Sequence, residues 1–291
     1  NTTTADGGVG GAQHRSSMAG QIVARDPDNG AVLTYGIVNA DGSPLVAGSV
    51  VGAVDGDPVS VVSVNSSDPA NIVFTTKYGE LHLDSTTGRY SFTLAGTTGA
   101  GATNTLAEGQ KVGLYFRPTV HDEHGAQDLN YHVLRDGTAL ALDTNRIDIS
   151  ILGTNDRPVF DGSAGWDGGV TGVMESGTAS QPNVITGQVT ATDHDSGATL
   201  TYGFAYKGNL ESVLYAVPTG AGNEYTLETT APADGNYFGT LTMTDQDNGK
   251  YSFVLNNAAS CVNKLDDGDK LNITVDLAVR DEFGAWSTTP L

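Results

Sequence analysis

The sequence predicts an all-β fold made of two tandem Greek-key β-sandwiches. Three observations predict it: apolar and polar residues alternate in short segments, turn residues separate these segments, and a long part of the chain is repeated. A chain of 291 residues is long enough for each repeat to bury a core of its own. No segment has the 3.6-residue apolar stripe of an amphipathic helix.

The alternation is clearest in residues 271–279 (LNITVDLAV), where every second residue is apolar. Residues 112–120, 90–94 and 147–151 follow the same period of two. Because successive side chains of a strand point to opposite faces, this pattern predicts strands with one buried face. Clusters of Gly, Asp, Asn and Pro lie between the segments and predict turns.

An internal repeat organises the chain. Residues 20–36 align with residues 187–203 without a gap, and eleven of the seventeen positions are identical. Later blocks align in the same order: 78–94 with 238–255, 106–111 with 265–270, and 121–126 with 280–285. This collinearity indicates a duplication, so each repeat is interpreted as one module.

The modules are predicted to be residues 1–156 and 157–291. At the boundary the predicted strand ends at Gly153, and the linker follows in the segment 153–158 (GTNDRP). Pro158 makes this linker short and stiff. The second repeat stops only seven residues after Gly284, whereas the first continues well beyond the equivalent point. We therefore expect the second module to lack its last strand and to have an open edge.

The composition excludes several classes of function. The net charge is −20, and Asp supplies 26 of the 34 acidic residues. A charge of this sign repels nucleic acid and anionic membrane surfaces, and no apolar run has the ~18 residues of a membrane helix. Cys261 is the only cysteine, so no disulfide holds the fold, and we interpret this residue as a small buried hydrophobe.

Several segments resemble the cadherin-like repeats, often called VCBS repeats, of giant bacterial RTX adhesins. They are residues 153–158 (GTNDRP), 191–197 (ATDHDSG), 238–253 and 280–284 (RDEFG). The resemblance implies immunoglobulin- or cadherin-like sandwiches that act as extender domains. It also implies an extracellular, cell-surface location and type I secretion through an uncleaved C-terminal signal, which agrees with the absence of a signal-peptide pattern at Asn1.

Acidic residues are expected to meet where the chain enters each module, because strands of a Greek-key sandwich alternate in direction. Carboxylates brought together repel one another unless a cation neutralises them, and Ca²⁺ accepts six to eight oxygen ligands in tolerant geometry. The sequence therefore predicts calcium ligands in two sets. The first set is Asp26, Asp28, Asp122 and Glu123; the second is Asp193, Asp195, Asp281 and Glu282, with the linker residues Asn155 and Asp156 and with Glu108 from the preceding module.

Some of these motifs have alternative interpretations. Asp-x-Asp-x-Gly is also ordinary turn chemistry, and the hairpin at Asp245 is predicted to be a plain turn. The histidines His121 and His124 suggest a transition-metal site, but the second repeat replaces both, so a solvated loop is favoured. No carboxylate pair, nucleophile motif or phosphate loop stands out, so we do not expect an enzyme.

These observations predict a spacer segment of a surface adhesin, stiffened by Ca²⁺ and contacting neighbouring repeats of the same chain. The alternative is a calcium-dependent module that binds a glycan or another ligand, with Trp166 and Trp286 as candidate contacts. The favoured interpretation of these tryptophans is structural: Trp286 packs over the sandwich edge, and Trp166 covers the linker.

Overall fold

The protein is described by a computed structural model, which covers residues 17–28, 30–96, 101–128, 146–169, 172–174, 183–220, 224–266 and 268–291. The chain divides into two compact units. The first is Asn1–Asp156 with His194–Ser196, and the second is Arg157–Asp193 with Gly197–Leu291. The main division therefore falls after Asp156, and a short loop of the second repeat groups with the first unit.

The first unit contains ten described strands. They are β1 (Ser17–Gln21), β2 (Thr34–Val38), β3 (Val50–Val54), β4 (Asp57–Asn65), β5 (Ile72–Thr76), β6 (Gly79–Leu83), β7 (Arg89–Leu94), β8 (Lys111–His121), β9 (Gln127–Asp128) and β10 (Ile147–Leu152). They pair in the order β1-β7-β6-β5-β4-β3-β8-β10, and β2 and β9 pair with the distal part of β8. Every pairing is antiparallel.

Strand β4 joins the two layers of this unit. Its first half pairs with β3 and its second half with β5, and a register shift lies between Val61 and Ser63. The alternating residues of β6 and β7 pack into the same cluster as those of β8 and β10. Phe92, Leu114 and Ile149 are examples, each at most 1% exposed. The predicted alternation is confirmed for these strands.

The second unit contains eleven described strands. They are β11 (Val159–Phe160), β12 (Val184–Gln188), β13 (Ala191–Thr192), β14 (Thr201–Tyr206), β15 (Asn209–Glu211), β16 (Val213–Pro218), β17 (Tyr225–Glu228), β18 (Gly239–Asp245), β19 (Lys250–Leu255), β20 (Asp276–Arg280) and β21 (Trp286–Pro290). One sheet has the order β12-β19-β18-β16-β17 and the other β15-β14-β20-β21, while β11 pairs with β13.

One core lies between these two sheets. Leu241 and Tyr251 come from the first sheet and Phe204 and Leu277 from the second, and all four are in one buried cluster. The all-β class is thus confirmed, and each unit is a sandwich of its own. Cys261 packs beside a smaller apolar cluster, where burial raises the pKa of its thiol.

The predicted strand 271–279 is wrong in its first half. Strand β20 begins only at Asp276, and residues 271–275 lie outside the described strands. The equivalent residues 112–116 are held by β10 on one side and β3 on the other. In the described part of the second unit no strand pairs with residues 271–275, so an alternating sequence alone does not form a ladder there.

Strand β21 completes the described part of the second unit. It pairs with β20 from Asp276↔Pro290 to Arg280↔Trp286, the position that β9 takes beside β8 in the first unit. No helix among the described residues has the length and apolar character that a membrane crossing requires.

Candidate metal centre

The acidic turns after β8 and β20 have the same hydrogen bonds in both units. Asp122 Oδ1 accepts the backbone N–H groups of His124 at 2.9 Å and Ala126 at 2.8 Å. Asp281 Oδ1 accepts those of Phe283 and Ala285, both at 2.9 Å. One oxygen of each aspartate therefore shapes its own turn.

The glutamate that follows each aspartate bridges to a second loop. Glu123 Oε2 accepts the N–H of Val32 at 2.8 Å, and Glu282 Oε2 accepts that of Thr199 at 2.7 Å. The backbone N–H groups of Glu123 itself and of Val32 lower the pKa of the Glu123 carboxyl. Each bridge brings the acidic turn against the loop that contains the Asp-x-Asp-x-Gly segment of its repeat.

The aspartates of the two repeats differ in their exposure to solvent. In the first unit Asp28 is exposed and Asp26 and Asp122 are partly exposed. Asp28 N–H donates to Asp26 Oδ1 at 2.8 Å, which is ordinary turn chemistry. In the second repeat Asp195 is 5% exposed and Asp281 is 4% exposed, although their local sequences match those of Asp28 and Asp122. Asp193 remains partly exposed.

The linker residues form a compact polar set within the first unit. Asn155 N–H donates to Glu108 Oε2 at 2.7 Å, and Asp156 N–H donates to Asp195 Oδ2 at 2.8 Å. Asp156 is 6% exposed. Four of the predicted ligands therefore form two hydrogen-bonded pairs, Asn155 with Glu108 and Asp156 with Asp195.

Three oxygen atoms of this set are buried. Oδ1 of Asn155, Oδ2 of Asp156 and Oδ1 of Asp195 each have almost no contact with solvent. Carboxylate and amide oxygens are the ligands that Ca²⁺ prefers, so the donor chemistry of this set fits that ion. Within the described ranges, however, no three His, Cys, Asp or Glu side chains are grouped closely enough to hold a metal ion.

The sequence did not reveal the backbone groups that position these residues. Ser196 N–H donates to the carbonyl of Thr105 at 3.1 Å, and Gly153 N–H donates to that of Gln110 at 2.8 Å. A Cβ on Gly153 would lie 2.6 Å from the carbonyl oxygen of Leu106, so only glycine allows this close approach. The glycine in the GTNDRP segment was the available signal, whereas a carbonyl acceptor has no side-chain signature.

The hairpin at Asp245 is a turn, as the sequence predicts. Asp245 Oδ1 accepts the backbone N–H of Asn248 at 3.1 Å, and its counterpart Asp84 Oδ1 accepts the hydroxyl of Thr86 at 2.6 Å. The hydroxyl bonds of Thr86 and Thr87 lower the pKa of Asp84 to about 2.

The two tryptophans of the second unit have different surroundings. Trp166 packs edge-on against Tyr251, with ring centroids 5.2 Å apart and an interplanar angle of 71°, beside the core of the unit. Trp286 lies in the edge strand β21 and lines an open groove. The sequence also suggests Glu175 as a ligand of an ion at the linker, and this residue lies outside the described residues.

No protein-family model matches the chain, and no curated protein matches it. Among solved structures, the extracellular domain of protocadherin GammaB4 is 15% identical with a TM-score of 0.34, over all of this chain and 32% of that chain. Protocadherin Gamma B2 extracellular cadherin domains 1-5 are 13% identical with a TM-score of 0.33, over all of this chain and 36% of that chain. Drosophila N-cadherin EC1-4 is 13% identical with a TM-score of 0.21, over 93% of this chain and 43% of that chain.

This chain therefore spans less than half the length of these cadherin structures. At such TM-scores the likeness carries no argument about fold or function.

Proposed function

We propose that this chain is a calcium-stiffened spacer segment of a secreted bacterial surface adhesin. One observation carries the proposal: the described aspartates that are buried are Asp156, Asp195 and Asp281, and the sequence predicts all three as calcium ligands. A buried carboxylate is unfavourable unless hydrogen bonds or positive charge compensate it, and in a chain with a net charge of −20 a bound cation would supply such charge.

Calcium is the ion that suits this set of oxygens. Glu108, Asn155, Asp156 and Asp195 offer carboxylate and amide oxygens from three separate parts of the chain. Ca²⁺ tolerates irregular geometry and accepts water as a further ligand, whereas Mg²⁺ requires a near-ideal octahedron. Extracellular calcium modules bind with a Kd of roughly 0.1 to 1 mM, so such a site fills outside the cell.

The linker connects calcium binding to stiffness. The N–H groups of Gly153, Asn155 and Asp156 all donate to groups of the first unit. An ion held by Asn155 and Asp156 adds a further restraint on the same three residues and so orders the chain that leaves this unit. A string of such modules becomes a rod after export, which is the task of a spacer.

Several features support the spacer over a catalytic role. The chain is a tandem repeat in which each unit has its own sandwich and core. The resemblance of the GTNDRP and ATDHDSG segments to extender repeats of RTX adhesins supports secretion and the cell-surface location.

Thermal unfolding with and without calcium tests the proposal. Protein stripped with a chelator should gain roughly 1.5 to 3 kcal/mol from about 10 mM Ca²⁺ at each site with a Kd of about 0.1 to 1 mM. Mg²⁺ at the same concentration is the control and should give a smaller gain. Identical melting curves in chelator, Mg²⁺ and Ca²⁺ would contradict calcium binding.

A further inference from the structure

An open groove with a volume of about 510 Å³ lies on the four-stranded sheet of the second unit. It is lined on one side by Asn209 and Leu210 and on the other by Arg280 and Trp286. The buried residues of this sheet, such as Phe204 and Leu277, point into the core. The groove therefore lies on the opposite, outward face of the sheet.

Leu210, which lines the groove, covers a pair of small residues on this outward face. Gly203 of β14 is paired with Ala278 of β20, and both lie on the outward face. A Cβ on Gly203 would lie 2.6 Å from Leu210 Cγ, so Leu210 reaches across the sheet at this point. In the first unit the equivalent pair is Gly36 and Thr119. A Cβ on Gly36 would lie 3.1 Å from Thr119 Cγ2. In the second unit Leu210 therefore shields this pair, and Ala278 is only 1% exposed.

Arg280 and Trp286 form one wall together. They are directly opposite in the β20–β21 register, so their side chains lie on the same face. At the equivalent positions of the first unit stand His121 and Gln127. The second repeat therefore has a guanidinium and an indole side by side on this face, where the first has an imidazole and an amide.

The second observation concerns the positive charge of Arg280. Arg280 is exposed, and among the described residues it takes part in none of the ion pairs, although the chain carries 34 acidic side chains against 14 basic ones. Its fork of N–H donors is therefore available to a ligand in the groove.

We propose that this groove binds a neutral sugar unit of a glycan. The flat indole of Trp286 offers an apolar face with an N–H at its edge, and such a face packs against the C–H face of a pyranose ring. Arg280 then donates hydrogen bonds to the ring hydroxyls. The net charge of −20 disfavours an acidic polysaccharide, and the groove volume falls within the ordinary range of small-ligand sites. The inference goes beyond the spacer role and does not depend on calcium.

The test uses the whole chain labelled with ¹⁵N in its tryptophan indoles, which gives two N–H resonances. The probes are the methyl glycosides of glucose, galactose, mannose and N-acetylglucosamine, each added to about 10 mM, well above a Kd of about 1 mM. We expect at least one probe to shift the Trp286 resonance saturably. The Trp166 resonance is the internal control and should stay in place because its ring packs against Tyr251.

Two variants complete the test. Arg280→Gln keeps the strand intact and should weaken binding about tenfold or more, because it removes the charged donor fork. Trp286→Phe keeps an aromatic face and should bind more weakly than the native chain, whereas Trp286→Ala should not bind. The proposal is overturned if no probe shifts the Trp286 resonance, if both indoles shift together, or if Arg280→Gln binds as well as the native chain.

Discussion

The backbone N–H of Asp156 donates a hydrogen bond to Oδ2 of Asp195 at 2.8 Å, and both side chains are buried. The two residues are 39 positions apart, and Asp195 lies in a loop that groups with the first unit. The bond uses one oxygen of Asp195, while its Oδ1 and the Oδ2 of Asp156 are shielded from solvent. This arrangement of buried acidic oxygens is the centre of the calcium proposal.

The effect of Asp195→Asn on the free energy of unfolding should differ between chelator and calcium. The amide keeps an oxygen for the Asp156 N–H but removes a buried charge, so the variant in chelator should be as stable as the native chain or more stable. In about 10 mM Ca²⁺ it should lose most of the roughly 1.5 to 3 kcal/mol that the ion contributes. Unfolding in urea under both conditions measures the difference.

Asp247→Asn is the matched control, because Asp247 is exposed in the hairpin after β18. It removes the same charge from the chain and should keep the full gain from calcium. Equal calcium responses of the two variants would argue against Asp195 as a ligand.

Glu108→Gln should weaken calcium binding without loss of the fold. Glu108 is exposed and its Oε2 accepts the Asn155 N–H, which the amide oxygen of Gln also accepts. Loss of one negative ligand lowers affinity for a hard cation, and we expect a roughly tenfold higher Kd by isothermal titration calorimetry. Glu224→Gln, at another exposed position, serves as the control and should bind as the native chain does.

The contribution of the Asp84 turn to stability should be lost over a narrow range of acidic pH. Hydrogen bonds from Thr86 and Thr87 lower the pKa of Asp84 to about 2, below the ordinary value of about 3.9. A lowered folded-state pKa stabilises the fold above the unfolded pKa, and this contribution is lost as the pH falls from about 4 to about 2. A carboxyl ¹³C titration should give a midpoint near 2, whereas a midpoint near 3.9 would show that the turn does not hold the charged form.

Two strand glycines of the first unit should differ sharply in their tolerance of alanine. A Cβ on Gly79 would lie 2.8 Å from Phe92 Cε1, whereas a Cβ on Gly113 would meet no atom within 4 Å. Gly79→Ala should cost roughly 1 to 3 kcal/mol because the Phe92 ring and the carbonyl oxygen of Thr93 both crowd the new Cβ in a packed core. Gly113→Ala should change the free energy of unfolding by less than about 0.5 kcal/mol. Equal effects in urea unfolding would mean that neither Phe92 nor the Thr93 carbonyl crowds Gly79.

The strands were largely predictable because alternation is a local property. Residues 147–151 carry apolar side chains at every second position, and the structure buries Ile147, Ile149 and Ile151. Residues 271–275 show the same alternation but lie outside a strand, because a ladder also needs a partner that is distant in sequence. The pattern of side chains therefore predicted which face is buried better than it predicted where a strand begins.

The candidate site was predictable in its residue types and not in its burial. Asp28 and Asp195 occupy equivalent positions in matching segments, yet the first is exposed and the second is buried. The difference arises because Ser196 bonds to Thr105 and Asp195 to Asp156, both distant in sequence. Local sequence contains no signal for such contacts.

Crystals grown in calcium test the central claim most directly, through anomalous scattering from the bound ion. We predict an anomalous peak within about 2.3 to 2.6 Å of oxygens from Asp156 and Asp195, with Glu108 or Asn155 completing the set. The peak should disappear from crystals of Asp195→Asn. Clear density for these side chains with no anomalous peak beside them would contradict the account.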